Sequence, residues 1–303
     1  MSEQSPFMPT VLLPEADDPT VAALREDLAQ RGPEEEQALG AHVRFEENMD
    51  LDVAADMLNR GEVDILIAGQ KHGSPEVLRA ALDINRANPP ENGEKRRLTS
   101  FFIMEKEGQE PLFFADCAVN VNPTPGQLVT IAEQTCVSVA HLGYEPVVAF
   151  LSLSTFGSAK GHGLEGVASV VEAAEAFKKK HPEIISYGEI QGDAATNRAT
   201  FEKKAAKAGV ELVGGKMPNV FIFPDGQGGN YTYKMLQELG GFRAVGPMLD
   251  GTAKDIHDLS RGGTQEALLR SIEVATELYR ARHEAAQQQA QSPPTEIEHP
   301  PAT

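Results

Sequence analysis

Two features of the sequence predict an α/β fold with a largely parallel sheet covered on both faces. Short apolar runs alternate with amphipathic stretches of helical period, and those helical stretches are roughly 10–15 residues long. With 303 residues the chain is long enough for two domains. Taken in order, 11–14 (VLLP) reads as a strand and 18–31 as the helix after it. VDILIA at 63–68 is a buried strand, followed by a helix at 74–87. Residues 98–104 and 111–115 pair as strands around the turn Glu107-Gly108-Gln109. A helix at 124–142 precedes a strand at 146–153, and a helix at 164–180 precedes a strand around Tyr187. VFIFP at 220–224, a helix at 230–239, an apolar stretch at 244–249 and a last helix at 264–286 complete the set. From 285 onward the chain is rich in Gln, Pro and small residues and is expected to be disordered.

Composition narrows the function classes. At 41% hydrophobic and 24% charged residues the chain can bury a sizeable core. Two cysteines, Cys117 and Cys136, have no metal-ligand spacing and form no disulfide framework, which fits a reducing, cytoplasmic setting. The N-terminus MSEQSPFMPT lacks a secretory pattern and no apolar run reaches bilayer length, so no membrane association is expected. A net charge of -18 opposes nucleic-acid binding. It also means that an anionic substrate must be met by local cations or backbone N–H groups.

Ligands of open α/β sheets bind beyond the carboxyl ends of strands, and four polar clusters follow apolar runs. The first, Ser152 to Gly161, combines hydroxyls, glycines and Lys160, a set that can face an anion, although a plain strand-to-helix turn has the same composition. It is not a Walker loop. The second, Pro224 to Lys234, contains Asn230, which could equally cap the next helix. The third, Asp255 to Thr264, opens the last helix with Arg261 among small residues, as an anion site or as a cap. In the fourth, Ala115 to Asn120, Asp116 and Asn120 could build an Asx turn, and Cys117 reads as packing. The eight histidines show no metal-binding spacing, and nucleophile-elbow and dinucleotide fingerprints are absent.

In order and spacing these clusters resemble the phosphate acetyltransferase family. The landmarks are AGQKHGSPEVLRAAL at 68–82, FFADCAVNVNPTPGQL at 113–128, LSLSTFGSAKG at 151–161, NVFIFPDGQGGNYTYK at 219–234, VGPMLDG at 245–251 and DLSRG at 258–262. The resemblance implies a two-domain α/β/α fold like that of the isocitrate and isopropylmalate dehydrogenases, assembled as a homodimer with the site in the interdomain cleft. The expected division is 1–112 plus 256–286, with a shortened N-terminal part, then 113–255, then a disordered tail at 287–303. The implied reaction is reversible acetyl transfer between acetyl-CoA and inorganic phosphate, giving acetyl phosphate and CoA. It uses no metal and no resident cofactor, CoA being a substrate.

By position, Ser260 is implied to hydrogen-bond the reacting centre and Arg261 to hold phosphate. Ser154, Ser158, Lys160 and Gly161 would shape the phosphate side, and Asn230, Tyr233, Lys234, His72, Arg79, Asp116 and Asn120 would line the cleft. Departures are equally specific. Ala267 stands where the family has an acid proposed to handle the CoA thiol, with Glu266 beside it; Gly263 and His257 replace a family cysteine and asparagine. RFEENMDLD at 44–52 is acidic where the family carries cations linked to CoA. STFGSAKG and GEIQGDAA (188–195) also resemble the acetyl-CoA-sensing, non-catalytic domain fused to some malic enzymes, which normally lacks the Ser-Arg-Gly kept here. A phosphate butyryltransferase would retain the chemistry with a different acyl pocket.

Overall fold

A computed structural model describes residues 7–91, 93–159, 162–259 and 263–291. Lys160, Gly161, Ser260 and Arg261 therefore lie outside the described residues. The chain runs β1 (Thr10–Leu13), α1 (Pro19–Arg31), α2 (Pro33–Leu39), β2 (His42–Phe45), α3 (Leu51–Arg60), β3 (Ile65–Ala68) and α4 (Ser74–Ala87). It continues with β4 (Thr99–Glu105), β5 (Leu112–Ala115), α5 (Pro125–His141), β6 (Val147–Leu151), α6 (Glu165–Lys180) and β7 (Ile185–Ile190). Then come α7 (Gly192–Thr196), α8 (Arg198–Ala208), β8 (Val220–Ile222), α9 (Gly226–Gly240), β9 (Arg243–Asp250), β10 (Asp255–Asp258) and α10 (Gln265–Gln291).

The strands form two sheets. A four-stranded sheet has the order β10-β3-β1-β2 and is parallel throughout. A six-stranded sheet has the order β7-β6-β8-β5-β4-β9 and is parallel from β7 to β5, with β4 antiparallel to both β5 and β9. The α/β reading holds, and β4 and β5 pair as expected, Phe101 opposite Ala115. The sheets part between β3 and β4, so 99–105, which a boundary at 112 assigns to the first unit, hydrogen-bonds into the second sheet.

Local chemistry explains the element ends. Asp18 accepts from Thr20 N–H at 2.8 Å and Pro19 opens α1. Thr124 and Gln127 form a capping box at α5. Helix α9 starts at Gly226, four residues ahead of the expected 230, because Asp225 rather than Asn230 is its cap, accepting from Gly228 N–H at 2.7 Å. The glycines there let the helix start lie on the loop after β5: a Cβ on Gly229 would come within 2.8 Å of Asp116 O and Cys117 Sγ. Helix α10 continues to Gln291, so 287–291, expected in the disordered tail, are helical; 292–303 lie outside the described residues. Two cores on either face of the small sheet bury Leu13, Ile65 and Ile67 on one side and Leu12, Leu66 and Ala68 on the other.

Helix α10 returns across both sheets, burying Leu268, Ile272, Ala275 and Leu278. Near its end Arg282 reaches Asp250 of the larger sheet and Asp255 of the smaller one, each at 2.6 Å. Ser138 of α5 donates to the same Asp250 oxygen. Two carboxylates thus share one guanidinium, and burial raises Asp250 to about 6 despite the positive partner.

Beside this triad sits His257, buried, with Nδ1 accepting from Leu249 N–H at 3.2 Å. Burial, and then the Arg282 charge, push its pKa down to about 3 from an ordinary 6.5. The folded protein therefore keeps this ring neutral where the unfolded chain binds a proton. Its contribution to stability is complete above pH 6.5 and is lost as pH falls toward 3. Asp250, raised rather than depressed, acts in the opposite sense over part of that range. Going from about pH 7 to about pH 5 should remove about 2 kcal/mol through His257. Urea unfolding of the parent and of His257→Asn should show the parent losing more stability by roughly that amount; parallel pH profiles would contradict the assignment.

Candidate functional site

The carboxyl edge of the small sheet is built around one acid. Glu15 stands two residues past the end of β1, after Pro14, and is 2% exposed. Its carboxylate accepts four consecutive backbone N–H groups of the loop after β3: Gly69 at 2.9, Gln70 at 2.8, Lys71 at 3.0 and His72 at 2.7 Å. Asp17, in the same turn as Glu15, pairs with the Lys71 ammonium. Gly69 has φ +129, and a Cβ there would lie 2.5 Å from Asp258 Oδ1 and 2.7 Å from Leu259 N. Leu259 N–H in turn donates to Ala68 O at 2.8 Å. The loops after β3 and β10 are therefore locked side by side, and the chain enters Ser260-Arg261-Gly262 from this fixed point. It leaves through Thr264, whose hydroxyl accepts from Ala267 N–H at 3.2 Å and caps α10.

The larger sheet has its own carboxyl edge. After β5, the buried Asp116 accepts from Ser100 N–H and its hydroxyl, from the N–H groups of Ala118, Val119 and Asn120, and from the Asn120 amide. This carboxylate is fully occupied with shaping its own loop. The Asn120 amide also donates to Leu98 O at 3.0 Å. The Asn230 amide donates to Cys117 O at 3.3 Å, joining α9 to the same loop. Cys117 is buried, and burial holds its thiol well above the ordinary range, so it packs and does not react. After β6, Ser154 is completely buried and Ser158 is exposed; both belong to a network with Glu189 of β7.

Other expected residues lie elsewhere. Tyr233 is 4% exposed and stacks on Phe102 with centroids 4.0 Å apart, which makes it a core residue; exposed Lys234 sits 5.1 Å above its ring. Arg79 lines a shallow groove between α3 and α4 together with Asp52, Asp56 and Asp83. His72 faces Glu76 at 3.9 Å at the start of α4. The two edges approach each other along that helix, since Leu78 and Leu82 of α4 line one hollow of about 340 Å³ with Val119 and Asn120. Gly73 and Leu78 are separated by only ~8 Å of helix.

Glu266 does not replace the family acid at 267. It is exposed, its side chain pairs with Arg243, and Arg243 is held on its other side by Glu105 at 2.6 Å. Glu105, Arg243 and Glu266 line a separate hollow against the 106–111 turn, at the amino end of β5, whereas Asp116 and Asn120 follow the carboxyl end of that strand. Sequence reasoning missed Glu15 and the role of Glu189. The available signal was an acid close to the carboxyl end of a strand, two residues past β1 in LLPE and one residue before the end of β7 in GEI. Among the described residues no three His, Cys, Asp or Glu side chains group to hold a metal, and no helix is long and apolar enough to cross a membrane.

A family model described as phosphate acetyl/butaryl transferase matches residues 15–276, from the Glu15 cradle into α10. The phosphate acetyltransferase of Bacillus subtilis is 40% identical over 210 residues, 69% of this chain and 61% of its own length. That of Clostridium acetobutylicum is 41% identical over 223 residues, 72% of this chain and 64% of its own. The chain thus spans about three fifths of the length of these curated relatives. Among solved structures, the EutD phosphotransacetylase from Staphylococcus aureus is 29% identical with a TM-score of 0.70, covering 90% of this chain and 94% of that one. A phosphotransacetylase from Streptococcus pyogenes is 27% identical with a TM-score of 0.72, over 91% and 94%. On the span of the family match and the identity to these relatives, the chain belongs to the phosphate acetyl/butaryl transferase family.

Proposed function

We propose that the protein is a phosphate acetyltransferase, catalysing reversible transfer of an acetyl group between acetyl-CoA and inorganic phosphate. The observation that carries the reading is the locking of the 68–73 and 258–264 segments against each other through Gly69, Asp258 and Leu259. Both segments are family landmarks, and their contact sets the start of DLSRG at a strand's carboxyl end. In this reading Arg261 binds phosphate and the developing acetyl phosphate through its two-pronged guanidinium. Ser260 hydrogen-bonds the reacting carbonyl, where charge grows as phosphate attacks the thioester carbon and the CoA thiolate leaves. Ser158 and Lys160 face the phosphate, and Asn120 and Asn230 border the cleft. The cysteine usage supports a cytoplasmic location, and the family resemblance supports a homodimer.

Attack in the reverse direction needs removal of the CoA thiol proton. With Ala267 lacking a carboxylate and Glu266 turned toward Arg243, this region of α10 supplies no base. The neutral-pH rate then depends on the thiolate fraction of a thiol with pKa near ~8.5.

Two results are expected. Phosphate-dependent release of CoA from acetyl-CoA should be measurable with a thiol reagent and should fall ~10²-fold or more in Arg261→Ala, with little rescue by lysine. Acetyl-CoA binding without turnover would instead favour a sensing role. In the direction of acetyl-CoA synthesis, the rate should climb from about pH 6 to about pH 9. Ala267→Asp should flatten that profile, while Glu266→Gln should leave it as in the parent. A profile altered by Glu266→Gln and untouched by Ala267→Asp would overturn the assignment.

A further inference from the structure

Four of the hollows on this acidic surface are each lined by at least three carboxylates. The hollow between α4 and the loop after β5 has no carboxylate among its lining residues. Its floor is apolar, from Leu78, Leu82, Leu98 and Val119, and the charged residue lining it is Arg97. Leu82 is 40% exposed there. Arg97 ends the run Lys95-Arg96-Arg97, three exposed cations with no carboxylate in ion-pair reach among the described residues. Glu91 and Glu94, earlier in the same loop, do not line the hollow.

A second basic run, Lys178-Lys179-Lys180, shows the ordinary use of such charge. It closes α6, where the carbonyl end of a helix favours cations, and Lys180 pairs with Glu133 at 2.6 Å. Residues 95–97 belong to no helix. With 45 Asp and Glu in the chain against 27 Lys and Arg, an internal partner for them would be easy to supply, and among the described residues none is present.

The backbone of Arg97 is fixed while its side chain is free. Its carbonyl accepts from the Gln134 amide at 3.1 Å, and Gln134 Oε1 accepts from the Thr99 hydroxyl at 2.5 Å. Other polar groups of the hollow are engaged internally. The Asn120 amide donates to Leu98 O and to Asp116, and the Thr130 hydroxyl donates to Gly126 O. Gln127 spends its oxygen on Thr124 N–H at 2.9 Å, and its amide N–H groups have no acceptor among the described residues. What stays open is an apolar floor, one amide donor and a guanidinium with two further cations beside it.

We propose that this hollow and Lys95-Arg96-Arg97 bind coenzyme A, the hollow taking the pantetheine arm and the three cations the phosphates. Naming CoA as the occupant rests on the acetyltransferase reading. A volume of about 340 Å³ is at the small end for ligand sites, so the hollow takes one part of so long a molecule. The pantetheine arm is aliphatic with amide carbonyls, which suits the leucine floor and the Gln127 donor. The phosphate end is repelled by a chain of net charge -18 and needs a local cluster of the opposite sign. Arg96 and Arg97 can each meet two phosphate oxygens. Successive Cα atoms are ~3.8 Å apart, so Lys95 and Arg96 reach a phosphate group held near Arg97.

The test titrates CoA into the full chain by calorimetry at two ionic strengths, and varies acetyl-CoA and phosphate separately in the thiol-release assay. Arg96→Ala/Arg97→Ala should weaken CoA binding at least ~10-fold and raise the KM for acetyl-CoA to match. Its kcat and its KM for phosphate should stay within ~3-fold of the parent, and CoA binding should lose much of its salt dependence. Lys178→Ala/Lys179→Ala removes the same charge elsewhere and should bind CoA as the parent does. Leu82→Glu, which places a carboxylate on the floor of the hollow, should weaken CoA at least ~5-fold. Unchanged CoA affinity in Arg96→Ala/Arg97→Ala or in Leu82→Glu, or equal losses in the two double variants, would each overturn the proposal. Turnover with an unchanged KM for acetyl-CoA in Arg96→Ala/Arg97→Ala would overturn this site and leave the acetyltransferase reading standing. CoA binding that depends on Arg96 and Arg97 in a parent without turnover would do the reverse.

Discussion

The carboxylate of Glu15 holds four successive amides of the loop after β3, and the position of the whole small-sheet edge follows from that contact. Four N–H groups pointing at one place would otherwise be an anion-binding cradle in their own right. Here the protein's own acid fills it. Asp116 takes the amides of residues 118–120 and Glu189 takes that of Gly157, so three loops at strand carboxyl ends are organised in the same way. For a chain of net charge -18 this has a chemical consequence. These backbone donors are occupied internally and are not open to a substrate anion, which gives the side chains of Lys160 and Arg261 their importance in the proposed chemistry.

The same fixed loops are carried by two sheets that are tied together by backbone as much as by side chains. The chain crosses between the sheets before β4 and again after β9, and the crossovers touch. A Cβ on Gly251 (φ +73) would fall 1.9 Å from Arg97 O, a separation only glycine permits. Asn85 of α4 spans the second crossover, donating to Gly251 O and accepting from Ala253 N–H. Arg282 then joins the last residue of β9 to the first of β10. The geometry between the sheets, and so the width of the hollow along α4, depends on these contacts.

How much of this was legible in the sequence depends on what stabilises each element. Strands β1, β3 and β6 and helices α1, α4 and α5 were legible, because buried apolar residues and local caps specify them. Strand β10 falls in the polar cluster that the sequence places at the opening of the last helix: DIHD has one aliphatic residue, and its polar side chains are accommodated by Arg282 and by Leu249 N–H, contacts made outside the strand itself. Strand β2 has only half-buried and exposed side chains, and α8 buries just Phe201 and Ala205, so neither has a strong periodic signal. At the site, the polar clusters were visible as composition. Their division of labour was not, since whether Asp116 or Ser154 faces a ligand or its own loop depends on where the backbone N–H groups point.

Amide hydrogen exchange at Gly69, Gln70, Lys71 and His72, compared between the parent and Glu15→Gln, tests the central claim most directly. The amide side chain retains one acceptor oxygen and presents N–H groups where the other accepted, so two of the four bonds are lost and a donor faces donors. Exchange at these positions should accelerate at least ~10-fold, while Leu66 and Ile67 within β3 stay protected as in the parent. Unchanged protection across the four amides would show that Glu15 does not hold the loop, and the account of the site built on it would fail.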